Sequence, residues 1–332
     1  MMDIRNYALP GALEPAVLLL DGGIDKHRKG RSLPLKVHYP LGDGVHPVVL
    51  ISHGAGGNVD THFAQARHLA SHGYVVVCLE HPFSNTATLE RTFRKLRAID
   101  DMIHDRREVY ARVADVSFVI DLVAEWNRSH QVLKKRLDIR HIAIMGHSFG
   151  ACTAMMTCGV RASTKWLRPV KSDDGATGSD VRDKRVTCGV ALSPQGPGDP
   201  FFSDGSYATL AVPLLGISGT NDEVQNGLPP TSRLDAFTKW PDGAHHFVWL
   251  GKARHIDFTD ATGSGVRMLP SVTRQAAQPI VLASILIFLN EHLRPASDNG
   301  DRLSVSLLRR YLTGGIDRVT VLSKPPSKVR KA

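Results

Sequence analysis

Ser148 lies in the motif Gly-His-Ser-Phe-Gly at residues 146–150, directly after four apolar residues and before a run of small residues. This order predicts a strand, a sharp turn and a helix. The flanking glycines remove side chains that would collide with the strand or the helix, so the turn can hold the serine in a strained backbone conformation. Such a serine is a candidate nucleophile. The structural alternative is an N-cap serine of the following helix.

Acyl transfer by a serine also requires a base that takes its proton, a carboxylate that orients the base, and donors for the oxyanion. Asp222 lies 74 residues after Ser148, just past a predicted buried strand, and His255 lies 33 residues further, after another predicted strand. The chain order serine, acid, histidine favours these two residues. We therefore predict a triad of Ser148, Asp222 and His255.

Other acids and histidines compete for the two partner roles. Glu223 adjoins the predicted acid, and Asp199 lies in the loop after the preceding predicted strand. An aspartate after Gly-Thr-Asn could also simply form a turn. Of the 16 histidines, His245 and His246 begin a predicted strand, so we expect their side chains to point away from its carboxyl end.

A second glycine-rich segment, His-Gly-Ala-Gly-Gly at residues 53–57, follows a predicted buried strand. Its glycines allow backbone N–H groups to approach a polarised oxygen closely. We predict the N–H groups of Ala55 and Phe149 as the oxyanion donors. A phosphate-cradling loop is the alternative, but the segment lacks the lysine and the spacing of a P-loop.

The elements that would position these segments alternate between strand and helix. Uniformly apolar runs predict buried strands, and helical apolar periodicity between them predicts covering helices. The pattern predicts an α/β fold with a mainly parallel central sheet and helices on both faces, in which ligands bind beyond the carboxyl ends of the strands. Strands are predicted at 15–21, 32–39, 47–52, 74–79, 142–147, 186–192, 212–217 and 246–250, and helices at 60–72, 113–126, 232–240 and 278–293.

The organisation of the chain predicts a single catalytic domain over residues 1–295. A basic excursion at about 84–111 and a polar, glycine-containing insertion at about 161–184 interrupt the regular alternation. Residues 296–332 are predicted to form a C-terminal extension with a possible short helix at 303–312 and a frayed basic tail.

Composition excludes several classes of function. With 332 residues, 42% hydrophobic and 22% charged, the chain is an ordinary globular protein, and its +9 charge lies largely in 91–107 and the C-terminal tail, with no nucleic-acid motif. No run reaches the roughly 18 apolar residues of a membrane span. Without a leader pattern, and with four cysteines in no metal-type spacing, we predict a cytoplasmic protein that needs no metal or cofactor. The oligomeric state stays open.

The sequence resembles the dienelactone-hydrolase-like family of α/β-hydrolases over roughly residues 15–295, and more narrowly its platelet-activating-factor acetylhydrolase-like branch. The segments that carry the resemblance are Ser-His-Gly-Ala-Gly-Gly at 52–57, the elbow at 146–150, His-x-Asp-Phe at 255–258, 69–76 and 112–119. The resemblance implies a serine carboxylic-ester hydrolase without cofactors. Carried over to this chain, Ser148 attacks the ester carbonyl, His255 relays the proton and Asp222 orients His255.

The predicted substrate is a small or short-acyl ester. An amidase or peptidase using the same triad is the first alternative, and a catalytically silent binding module of the same fold is the second. Position relative to the strand ends predicts that Phe83, Phe149, Pro194 and Trp240 line the substrate pocket.

Overall fold

The computed structural model describes residues 6–28, 31–163, 178–198, 201–223, 227–260, 271–294 and 301–325. Within these ranges nine strands form one sheet. The strands are β1 (Pro15–Ile24), β2 (Ser32–Pro40), β3 (His46–Ser52), β4 (Val75–Leu79), β5 (Leu137–His147), β6 (Val186–Leu192), β7 (Leu214–Asn221), β8 (His246–Arg254) and β9 (Val319–Ser323).

The strand order is β1-β2-β4-β3-β5-β6-β7-β8-β9. The six strands from β4 to β8 run parallel. The hairpin of β1 and β2 lies antiparallel at one edge, and β9 lies antiparallel at the other. All residues of β3 and β4 are buried, which is typical of parallel strands covered on both faces.

Helices cover both faces of this sheet. They are α1 (Phe63–Ser71), α2 (Thr86–Glu90), α3 (Lys95–His104), α4 (Arg106–Ser129), α5 (Phe149–Thr157), α6 (Thr231–Lys239), α7 (Val272–Leu293) and α8 (Val305–Leu308). Val48 and Leu50 of β3 belong to one hydrophobic core, with side chains of α4, α5 and α6, whereas Val49 and Ile51 belong to a second core, with side chains of α1, α7 and α8. The alternation of side chains along one strand therefore feeds two separate cores, and the predicted α/β fold is confirmed.

The excursion and the insertion differ in how much of them the structure describes. The excursion at 84–111 forms α2, α3 and the first turns of α4, which begins seven residues before the predicted Val113 because Asp105 caps it. The Asp105 side chain accepts a hydrogen bond from the Arg107 N–H, as an N-cap residue does. Residues 164–177 of the predicted insertion lie outside the described ranges.

The C-terminal extension contributes to the same sheet. The predicted short helix is present as α8, but Val319–Ser323, expected in a frayed tail, instead forms β9 and pairs with β8 from His246 to Leu250. Only five residues long and close to prolines and lysines, this strand carries a weak local signal. Pairing with β8 supplies the hydrogen bonds that stabilise it.

Helix α7 has the length and apolar composition of a membrane-crossing helix, with a mean hydropathy of 1.5 over its most apolar window. In the fold, 67% of that window is buried, and its side chains pack against the sheet. A core helix covered by a sheet requires the same apolar composition. The composition of α7 is therefore only weak support for a membrane span.

Candidate active site

The turn at Ser148 joins the end of β5 directly to the start of α5. Ser148 has φ 55° and ψ −118°, a strained backbone for a residue with a side chain. A Cβ on Gly146 would overlap the Gly150 carbonyl, and one on Gly150 would overlap the Ser52 carbonyl, so both positions require glycine. Ser148 is partly exposed between two buried neighbours, and its side chain makes no capping hydrogen bond to α5. The geometry is that of a nucleophile elbow.

Asp222 and His255 form a hydrogen-bonded pair beside this turn. Asp222 follows β7 and is fully buried, whereas His255 directly follows β8 and keeps 33% of its side chain exposed. His255 Nδ1 lies 2.7 Å from Asp222 Oδ1. Because an ionised carboxylate can only accept, Nδ1 carries the proton and Nε2 is left as a base. The His255 ring lies 4.6 Å from the ring of His147, the residue before Ser148.

Four donors surround the Asp222 carboxylate. Besides His255, the hydroxyls of Ser193 and Ser218 donate at 2.6 and 2.7 Å, and the Arg233 guanidinium lies 3.1 Å away. Burial alone would raise the pKa of Asp222, but Arg233, His255 and the Ser193 hydrogen bond together hold it well below its usual range. The carboxylate is therefore charged at any working pH and can orient the histidine.

The competing residues lie elsewhere. The Glu223 side chain is exposed, and Asp199 is outside the described ranges. His245 is buried at the amino end of β8, where its Nδ1 accepts the Leu214 N–H at 3.1 Å, and His246 begins the same strand. Both histidines thus lie at the opposite edge of the sheet from the carboxyl end of β8.

The glycine loop at 53–57 lies against the elbow. A Cβ on Gly54 would come within 3.5 Å of Ser148 Cβ and 3.3 Å of the His147 carbonyl oxygen. The Gly56 N–H donates to the Ser84 carbonyl at 2.8 Å, which ties the loop to the segment after β4. Ala55 is in the middle of this loop, and Phe149 is the first residue of α5. The two predicted oxyanion donors therefore belong to segments in contact with each other.

Comparison with known proteins agrees with this architecture. A family model described as alpha/beta hydrolase fold matches residues 47–165, which include the glycine loop and the elbow. The chain has the α/β-hydrolase fold. It is similar to platelet-activating factor acetylhydrolases: 24% identical over 295 residues to that of Cavia porcellus, 23% over 299 to that of Canis lupus familiaris and 26% over 287 to that of Bos taurus.

These alignments cover 79%, 78% and 75% of this chain, respectively. They cover 61%, 60% and 57% of the relatives, so the chain spans about three fifths of the length of the curated relatives it matches. The predicted resemblance to platelet-activating factor acetylhydrolases is therefore confirmed, whereas the comparisons do not test the resemblance to dienelactone hydrolases.

The predicted pocket residues of this protein separate into two groups. Phe83 follows β4 and is 62% exposed, Pro194 is buried just after β6, and the Phe149 side chain stacks on Phe201 in the core. Trp240 does not line an open pocket: it is 1% exposed and packs against the first half of β7 and β8, beside Phe247. It ends α6, which returns the chain to the amino edge of the sheet, so its expected role is corrected to core packing.

The roles of several polar residues that hold the candidate site together were not predicted from the sequence. Arg233 donates to the carbonyls of Ser193 and Pro194 as well as approaching Asp222, and His147 Nε2 donates to the His255 carbonyl at 3.0 Å. Gln195 Nε2 donates to the Ser148 carbonyl at 2.7 Å. The three side chains connect the loops after β5, β6, β7 and β8. Arginine in a short helix and glutamine in a loop carry no distinctive local pattern.

The buried charged residues of α4, in contrast, follow a pattern that can be recognised in the sequence. Glu108, Arg112 and Asp115 recur at the helical spacing i, i+4 and i+7, on the stripe that also carries Val109 and Val116. All five side chains are buried. Charged residues in register with an apolar stripe indicate an internal ion network.

Buried histidines make the stability of this protein sensitive to acid. Burial lowers the pKa of His38 and His62 to about 4 and that of His81 to about 3. An unfolded histidine binds its proton at a pKa of about 6.5. Between about pH 6.5, where the unfolded histidine titrates, and the lower folded-state pKa, the unfolded state binds more protons than the folded state. As the pH falls through this range, each such histidine lowers the free energy of unfolding by about 1.4 kcal/mol per pH unit.

We expect His38→Leu to make unfolding less dependent on pH. Neither ring nitrogen of His38 has a hydrogen-bond partner among the described residues, so leucine removes the titration without breaking a bond. Urea unfolding midpoints at pH 7.5 and pH 5.0 measure the difference, with the exposed His27→Gln as the control. The same loss of stability between the two pH values in His38→Leu and wild type would contradict the burial of a neutral imidazole.

Proposed function

We propose that this protein is a serine hydrolase that cleaves carboxylic esters of short acyl chains through an acyl-enzyme. The observation that carries the proposal is the His255–Asp222 hydrogen bond of 2.7 Å beside a serine at φ 55°. A strained, partly exposed serine next to an oriented imidazole is the arrangement that nucleophilic catalysis requires.

In the proposed reaction Ser148 Oγ attacks the ester carbonyl carbon while His255 Nε2 takes its proton. Asp222 holds the Nδ1–H and stabilises the imidazolium that forms. The N–H groups of Ala55 and Phe149 bind the oxyanion of the tetrahedral intermediate. When the intermediate collapses, His255 gives its proton to the leaving alcohol, and a water activated by the same histidine then releases the acid and regenerates the serine.

The substrate class is supported by the relatives. Their name, platelet-activating factor acetylhydrolase, states that they remove an acetyl group from platelet-activating factor by hydrolysis. We infer an acetyl or similarly short acyl group for this chain. Every candidate site residue except Trp240 follows a strand at its carboxyl end or lies in a loop there, which is where this class of sheet binds its ligands.

A series of p-nitrophenyl esters tests the function. We expect kcat/KM to be highest for the acetate or butyrate and to fall at least about tenfold for the octanoate, since extra methylenes must displace pocket atoms. A fluorophosphonate probe should label a single peptide, the one containing Ser148, as read by mass spectrometry.

The alternatives give different results in the same assays. Comparable turnover of p-nitroacetanilide would favour an amidase or peptidase. The absence of both ester turnover and fluorophosphonate labelling would contradict the proposal and favour a binding module of the same fold.

A further inference from the structure

The side chain of Arg112 is completely buried beneath the candidate active site. Its Nη2 donates to the His53 carbonyl and, at 3.0 Å, to Ser52 Oγ. Its Nη1 donates to Ser84 Oγ at 2.8 Å, and its Nε donates to Thr153 Oγ1 at 3.1 Å. All three guanidinium nitrogens of Arg112 thus donate, through four hydrogen bonds, to groups from three different segments.

Two of these segments carry the proposed oxyanion donors. Ser52 and His53 end β3 and begin the loop that contains Ala55. Thr153 lies one turn into α5, where its hydroxyl also donates to the Phe149 carbonyl at 3.1 Å. In addition, the Arg112 guanidinium carbon lies 4.4 Å from the centre of the Phe149 ring. Arg112 therefore bridges the loop of one donor and the first turn of the helix that begins with the other.

A second set of bonds holds the loop from the same side. The His81 N–H donates to His53 Nε2 at 3.0 Å, and His81 Nε2 accepts from Ser52 Oγ at 2.9 Å. His81 Nδ1 donates to Asp115 Oδ2 at 2.7 Å. Since Ser52 donates its only hydroxyl proton to His81, its oxygen is free to accept from Arg112. Donors and acceptors can therefore be assigned to all of these bonds without conflict.

Neighbouring carboxylates compensate the buried charge. Burial lowers the pKa of Arg112 to about 10, while Glu108 and Asp115 favour the charged form, so the guanidinium stays protonated at neutral pH. Ser84 Oγ donates to Glu108 at 2.7 Å, which links the Arg112 partner to a carboxylate. Arg31, also buried, pairs with both carboxylates. Arg31 belongs to the same ion network as Arg112, but its side-chain hydrogen bonds go to Glu108 and Asp115 and not to the glycine loop or α5.

We propose that Arg112 is a positioning residue that sets the separation between the two oxyanion donors, Ala55 N–H and Phe149 N–H. This inference rests on the proposed ester hydrolysis. Donors to an oxyanion act on the transition state far more than on the bound ester, so an error in their spacing lowers kcat and leaves KM nearly unchanged. A lysine at 112 would keep the charge but could not reproduce the planar fork.

The test compares Arg112→Lys with Arg31→Lys. Both variants alter a buried arginine of one ion network, so both are expected to lower the melting temperature. Only Arg112→Lys is expected to lower kcat for p-nitrophenyl acetate, by about 10- to 100-fold, with KM within about twofold of wild type. The inhibition constant of a boronic acid that forms a tetrahedral adduct on Ser148 should rise by a similar factor, because that adduct uses the same donors.

Three outcomes separate the possibilities. A folded Arg112→Lys protein with wild-type kcat would overturn the positioning role while leaving ester hydrolysis in place. Equal losses of kcat in both variants, without a change in boronic acid affinity, would show that Arg112 only stabilises the fold and does not position the oxyanion donors. Absence of ester turnover in the wild-type protein would overturn the proposed function and the positioning role with it.

Thr153→Val keeps the test decisive if Arg112→Lys does not fold. Valine preserves shape and leaves the buried cation in place, but removes the bond between Arg112 Nε and α5 together with the bond from the Thr153 hydroxyl to the Phe149 carbonyl. We expect kcat to fall about three- to tenfold at constant KM, the effect of losing one or two hydrogen bonds. Wild-type kcat together with wild-type boronic acid affinity in Thr153→Val would contradict the inference.

Discussion

Replacing Ser148 with alanine is expected to lower kcat for p-nitrophenyl acetate by at least about 10⁴-fold, because the oxygen proposed to attack the ester is removed while the rest of the site stays in place. The elbow should survive the change. The Ser148 side chain makes no capping bond to α5. Its backbone N–H donates to the Leu192 carbonyl, and its carbonyl accepts from Gln195 Nε2 and the Cys152 N–H. The melting temperature should therefore remain within a few degrees of wild type.

Steady-state kinetics and thermal unfolding on the same preparations provide the measurement. Ser129→Ala, at the end of α4, is a suitable control because its hydroxyl donates only to a helix carbonyl one turn back, at Glu125. Fluorophosphonate labelling should disappear with Ser148→Ala and persist in the control. Undiminished turnover in a folded Ser148→Ala protein would eliminate the serine as the nucleophile.

Asp222→Asn is expected to have the second largest effect, a loss of about 10⁴-fold in kcat at neutral pH. The uncharged amide no longer stabilises the imidazolium, and its NH₂ group can turn towards His255 and reverse the tautomer. The change also leaves Arg233, whose side chain is 4% exposed, without its carboxylate partner. Stability should fall by about 3 kcal/mol or more, since an uncompensated charge remains buried.

Glu223→Gln is the matched control for this variant. It removes a carboxylate one position along the chain, but that side chain is exposed, and only the Glu223 backbone carbonyl binds Arg233. We expect wild-type kinetics and unfolding midpoint. If Glu223→Gln lost activity and Asp222→Asn retained it, the orienting acid would be Glu223 and the buried pair would be purely structural.

Local pattern was sufficient for most of the fold. The buried strands were predicted to within a few residues because parallel strands covered on both faces need continuous apolar runs, and β6 matches its prediction at both ends, Val186 and Leu192. The elbow could also be predicted from local sequence. Any side chain at Gly146 or Gly150 would overlap a carbonyl group, so the strained turn requires glycine at both positions.

Long-range contacts accounted for what local pattern missed. Trp240 was predicted to line the pocket from its position relative to the strand ends, but its burial depends on where α6 meets β7 and β8. Strand β9 exists because β8 offers it an open edge. Neither outcome depends on the residues immediately before or after the segment.

The sequence by itself determined the class of fold, the elbow at Ser148 and the order of its candidate partners, because strand burial, tight turns and chain order are local properties. The tertiary structure decided which acid meets His255, that Arg233 lies against that acid, and that Arg112 bridges the glycine loop and α5. Arg112 is 59 residues from His53 and 41 from Thr153 along the chain. Only packing of the helices onto the sheet brings such residues within hydrogen-bond distance.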